Sequence, residues 1–200
     1  MTRRALRAEL RRGRPGLGGP GRPGQRGQSI VEFTLILPVF LLVLLGMLEY
    51  GSAYDHRTAM AYAVREGARV GASLGSGNAN TPASQVDATI VAAVQRGLTN
   101  PILIDNITSI DIYQADSAGK PIAGKMDSYD KDGNLIGTAG WPAASRVTGL
   151  NGDSIGVRVR YDFHPVTPLG TFMGLMFSPI PGYATIPMSD SSVMHLEPTP

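Results

Sequence analysis

Residues 30–48 read IVEFTLILPVFLLVLLGML, nineteen positions with one ionisable side chain, Glu32. Coiled into a helix, nineteen residues rise roughly 28 Å, close to the thickness of the hydrocarbon layer of a bilayer. Pro38 interrupts the run, but spanning helices tolerate proline. The flanks orient the helix. Residues 1–27 carry eight arginines and one acid, Glu9, whereas the rest of the chain carries ten basic and fifteen acidic side chains. A basic flank stays in the cytoplasm, so everything after Glu49 is expected outside.

The overall net charge of +2 therefore hides a leader of +7 and a body of −5. An acidic body argues against nucleic acid as its partner. The leader is Arg/Gly/Pro-rich, cannot bury apolar surface, and is expected to be disordered. The chain has no cysteine, which excludes a disulfide framework and a thiolate metal site. A removed secretory signal is the competing reading of the run. The run is long for one, and Glu49 stands where a cleavage site would follow.

The helical pattern continues from Tyr50 to Ala72, without proline and rich in alanine. Ala59, Ala63, Gly67 and Gly71 recur every four residues and form a ridge of small side chains. Such a ridge lets another helix approach closely, or packs on the chain's own domain. Glu66 and Arg69, three apart, can pair on the surface. One helix over about residues 29–73 is expected, its first half in lipid and its second half outside.

After a loop over 75–81, Thr81 is placed to cap a helix with Pro82 at its first position. Val86, Ile90, Val94 and Leu98 form its apolar stripe, and Asn100-Pro101 ends it. Strand signals follow over 102–113, with turns at 117–120 and 130–134. Residues 154–163 alternate most clearly: Ile155, Val157, Val159, Tyr161 and Phe163 against Arg158, Arg160 and Asp162. Residues 165–187 read as a Pro/Gly-broken loop carrying Phe172, Met173, Leu175, Met176 and Phe177, and 185–197 as a last strand. The fold class is α+β, a long N-terminal helix followed by a small domain with an antiparallel sheet. The division is a leader over 1–27, a transmembrane helix over 28–49, and an extracytoplasmic part over 50–200.

Chemical constellations are absent from the sequence. Asp127–Asn134 has the look of a calcium loop, but anchoring on Gly133 puts Ser128 first and Ala139 twelfth, so a hairpin turn is the better reading. His56, His164 and His195 lack metal-ligand spacing. His56 is expected to be a solvated helix residue, Tyr50 and Tyr54 interface anchors, and Trp141 a core or loop anchor. No nucleophile elbow or phosphate loop occurs. Neither a cofactor nor an enzyme activity is expected.

The segment Gly27-Gln28-Ser29-Ile30-Val31-Glu32-Phe33 places a glycine before a hydrophobic helix and a glutamate five residues after it. This resembles the processing site of type IV pilin-like precursors. With Leu37-Pro38, Gly46, Glu49-Tyr50-Gly51 and Arg65-Glu66-Gly67-Ala68-Arg69, the stretch 26–72 resembles the TadE-like family of minor pilins, or pseudopilins, of the tight-adherence pilus. The resemblance implies cleavage after Gly27 by a prepilin peptidase, leaving Gln28 first, and partnership with other pilin subunits. Glu32 would then be the fifth residue. A carboxylate in an apolar run is costly unless paired. The freed α-amino group of a neighbouring subunit would supply that partner and set the register, and the first helical turn favours the negative charge. The alternative is an uncleaved, membrane-anchored binding or adhesion module.

Overall fold

The computed structural model describes residues 25–98, 101–168 and 185–197. The expected disordered leader and the apolar loop residues Phe172, Met173, Leu175, Met176 and Phe177 lie outside these. The chain divides into two compact units, Met1–Val43 and Leu44–Pro200.

Helix α1 runs Gln25–Leu74, close to the expected bounds. Pro38 lies inside it. Proline has no N–H, so the carbonyl four residues earlier, on Thr34, lacks a helical donor. Thr34 Oγ1 itself donates to the Ile30 carbonyl at 2.8 Å. Helix α2 spans Ala83–Gly97. Its cap is Pro82, extended at ψ 154° and without a side-chain cap bond, so the helix starts one residue later than expected and Thr81 does not cap it. Instead Asn78 Oδ1 accepts the backbone N–H groups of Asn80 and Thr81. The predicted stripe is buried: Val86, Ile90, Val91 and Val94 within α2, then Leu98.

Residues 101–105 depart from expectation. Pro101–Asp105 is a short helix, α3, where a strand was expected. Proline suits a first helical position, and a short apolar run has no period that separates strand from helix. Strands β1 (Ile107–Ala115), β2 (Pro121–Tyr129), β3 (Ser154–Phe163) and β4 (Ile186–His195) form one antiparallel sheet in the order β2-β1-β3-β4. The β1–β2 turn is held by Asp116 Oδ1, which accepts from Ala118 and Lys120. At 130–134 the turn reading holds: Asp130 Oδ1 accepts from Asp132 and Asn134, and Gly133 takes φ 87°.

Alternation decides which face of the sheet is dry. Ile110 and Ile112 of β1 and Ile155, Val157, Val159 and Tyr161 of β3 are buried with Met60, Ala63, Val64, Ala68 and Ala72 of α1 and the α2 stripe. Burying each such aliphatic side chain contributes about 1.5–3 kcal/mol. The other face is polar but closed. Asp111 is fully buried there and accepts from Arg158 Nε at 2.9 Å and Ser128 Oγ at 2.8 Å. Trp141, expected as an anchor, is 1% exposed with the Arg146 guanidinium 4.6 Å over its ring. After β4 the chain returns to α1, where Glu197 N–H donates to the Ala72 carbonyl at 3.0 Å.

Candidate functional site

The first part of α1 has no counterpart in a domain that lives in water. Ile30, Val31, Phe33, Leu35, Ile36, Val39 and Phe40 are each 59–71% exposed. The helix is apolar and long enough to cross a membrane, and none of its most apolar window is buried within the structure. Removing such surface from water is favourable by about 25 cal/mol per Å². Exposed Glu32 lies among these side chains, and its Oε1 accepts from Gln28 Nε2 at 2.9 Å, one turn earlier. Both Gly27 and Gln28 fall within α1, and the surroundings of Gly27 lie outside the described side chains.

The ridge Ala59, Ala63, Gly67 and Gly71 is in contact with the chain's own α2 and β3. A Cβ on Gly67 would lie 2.5 Å from Val94 Cγ2, and one on Gly71 would lie 2.7 Å from Ile155 Cδ1. From the other side, a Cβ on Gly97 would lie 2.8 Å from Ala63 Cα, so two backbones touch where these small residues meet. Ala63 and Ala68 are fully buried, and Ala59 is partly buried against the same core. Arg65 and Arg69 point to water. Arg69 Nη2 lies 2.6 Å from Glu66 Oε1, and this hydrogen bond holds the Glu66 carboxyl below its ordinary pKa.

Glu49 has a role that local sequence reasoning missed. It is 9% exposed. Its Oε1 accepts the Val166 N–H at 3.1 Å, and its Oε2 accepts the Thr167 N–H at 3.0 Å and hydroxyl at 2.6 Å. Three donors satisfy a carboxylate that would otherwise be costly to bury. The available signal was a lone acid at the end of an apolar run, a group that needs a partner. That partner lies 117 residues away in the chain, where no spacing rule reaches.

Beyond Glu49, Tyr50 and Tyr54 stack at 6.4 Å and are mostly exposed. With Arg57 they line one side of a cavity of about 370 Å³ whose other side includes Tyr161, Met188 and Asp190. The Tyr161 hydroxyl donates to Asp190 Oδ2 at 3.4 Å. Burial, aided by that carboxylate, pushes the Tyr161 phenol up to about 12. His56 departs from the expected solvated role. Its ring meets Phe163 edge-on at 5.2 Å, and burial lowers its pKa despite nearby Asp55. The helical period explains this, because position 56 shares a face with buried Met60 and Ala63.

The residues just described bracket what comparison with known proteins finds. No curated protein and no solved structure matches the chain. A family model described as TadE-like protein matches residues 27–69. The match opens at the glycine before the apolar run and takes in Glu32, Glu49 and the small ridge as far as Gly67. From Gly27 to the arginine that pairs with Glu66, this chain is similar to the TadE-like family.

Proposed function

We propose that the chain is a minor pilin, or pseudopilin, of a tight-adherence pilus, acting as a structural and interaction protein and not as a catalyst. Residues 28–49 anchor it in the cell membrane in a single pass, with the N-terminus cytoplasmic and residues 50–200 extracytoplasmic. A prepilin peptidase removes the leader after Gly27, so that Gln28 becomes the first residue. Glu32 then neutralises the α-amino group of an adjacent pilin subunit and fixes the stagger between helices.

The observation that carries this reading is the exposed apolar surface of α1 around Glu32, in the same stretch that matches the TadE-like family. A lipid layer or neighbouring apolar helices would cover that surface, and a carboxylate placed there calls for a positive partner. Lipid and other pilin subunits are therefore its partners.

Mass spectrometry of the membrane fraction tests the cleavage. Gln28 as the first residue is the expected result, and an intact Met1 in the finished protein overturns the proposal in favour of an uncleaved anchored binding module. Replacing Gly27 by a bulkier residue is expected to abolish processing. Glu32→Ala is expected to leave insertion and cleavage intact while impairing pilus assembly. Normal assembly by that variant would remove Glu32 from the role.

A further inference from the structure

A second site lies on the helix-facing side of edge strand β2, and it is independent of the reading of α1. Asp127 is 1% exposed. Its Oδ1 accepts the backbone N–H groups of Gly140 and Trp141, at 2.5 and 2.9 Å. Its Oδ2 is buried and has no hydrogen-bond partner among the described residues. Asp127 lines an open cavity of about 530 Å³, together with Asp87, Tyr129, Ser84 and a small apolar rim that includes Ala88 and Pro142.

The charges there do not balance. Arg146 is the cation beside the two carboxylates, and its Nη2 is already committed to Asp87 Oδ1 at 2.5 Å and the Trp141 carbonyl at 3.3 Å. The Tyr129 hydroxyl donates to Asp87 Oδ2 at 3.1 Å, which leaves its oxygen lone pairs as acceptors. Two carboxylates against one guanidinium leave one negative charge, held where water is partly excluded. Burial raises the pKa of Asp87 despite Arg146, and the charge of Asp127 adds to that rise.

We infer that this cavity binds a primary ammonium group on an alkyl stem, with Asp127 Oδ2 as its charged acceptor and the Tyr129 and Ser84 oxygens beside it. An unpartnered buried carboxylate oxygen calls for a donor, and two acids exclude an anionic ligand. The acceptors come from three separate residues and form no planar pair. A compact ammonium with three rotatable donors fits that arrangement better than the flat fork of a guanidinium. A hard divalent cation needs more oxygens, and no group of three acids or histidines able to hold a metal occurs among the described residues. The small rim leaves room for methylenes. The ammonium is carried either by a lysine side chain of a partner protein or by a free alkylamine.

The chain has one tryptophan, Trp141, whose N–H is bonded to Asp127, so its fluorescence reports on the site. The full-length protein in detergent is titrated with n-butylammonium, N-acetyl-lysine amide, N-acetyl-norleucine amide and calcium at constant ionic strength. Trp141 emission and thermal unfolding are followed together. A saturable response to the lysine amide, to butylammonium or to both supports the site, and which of them binds more tightly identifies the carrier. Asp127→Asn keeps the oxygen that holds Gly140 and Trp141 and is expected to weaken binding about tenfold. Ala88→Leu, on the exposed rim of α2, fills the cavity from outside and is expected to block binding even if Asp127→Asn fails to fold. The inference is overturned by silence in both readouts, by an equal response to norleucine amide, by a calcium response at lower concentration, or by binding that survives both variants.

Discussion

The two ends of α1 are one kind of secondary structure put to opposite uses. Over 30–48 the side chains are large, apolar and exposed, and Gly46 has no atom within 4 Å of where a Cβ would sit. Over 59–72 the buried residues are mainly small, and Gly67 and Gly71 are crowded by Val94, Ile155 and Ile90. Helix propensity does not distinguish these positions. What differs is whether the neighbours are already present in the chain. One region has its packing partners in α2 and β3, and the other presents apolar surface with none described.

The largest expected effect tests that contrast directly. Gly67→Leu would drive a branched side chain into Val94 and is expected to destabilise the sheet-bearing unit by about 3 kcal/mol. Gly46→Leu, in open space, should shift the same unit by less than about 0.5 kcal/mol. Denaturant titration followed by Trp141 emission measures both, and equal shifts would break the comparison. Next comes Glu49→Ala, which removes three hydrogen bonds at once and is expected to cost about 1–3 kcal/mol. Faster hydrogen exchange at the Val166 and Thr167 amides would locate the loss, and Glu49→Gln should fall between the two.

A smaller effect depends on pH. Burial sets the folded pKa of His56 below its ordinary 6.5, so the unfolded chain takes up the proton first. Its contribution to stability is whole above that ordinary value, declines as pH falls through it toward the folded pKa, and is level below. His56→Leu should flatten this part of the stability curve, and an unchanged slope would place the titration elsewhere. The smallest effect is at the exposed Glu66–Arg69 pair. Arg69→Ala is expected to leave the denaturation midpoint in place while the Glu66 pKa, followed by NMR, rises back toward its ordinary 4.5. Unaltered titration of Glu66 would show that the hydrogen bond is not made in solution.

Elements with a strong period were legible from sequence. The alternation from Ile155 to Phe163 marks β3 to the residue, and Val86, Ile90 and Val94 mark the dry side of α2. Strand β2 was legible only by its flanking turns. Its first five residues are exposed, as suits an edge strand, so no alternation is written into them. Residues 101–105 misled because Ile-Leu-Ile after proline suits strand and helix alike. At the sites, Gly27 and Glu32 stand out by local spacing. Glu49, Asp87 and Arg146 do not, because their partners lie 117 and 59 residues away. Such pairs exist only once the sheet has brought distant segments together.

Pro38 gives α1 a point of compliance. With the Thr34 carbonyl lacking its helical donor, bending there disturbs one bond fewer than bending elsewhere along the rod. The eight or so residues ahead of it, Glu32 included, can change their angle without the following turns unwinding. A rod articulated near one tip can seat that tip among neighbours at more than one inclination, so its fit does not depend on how the body it carries is turned.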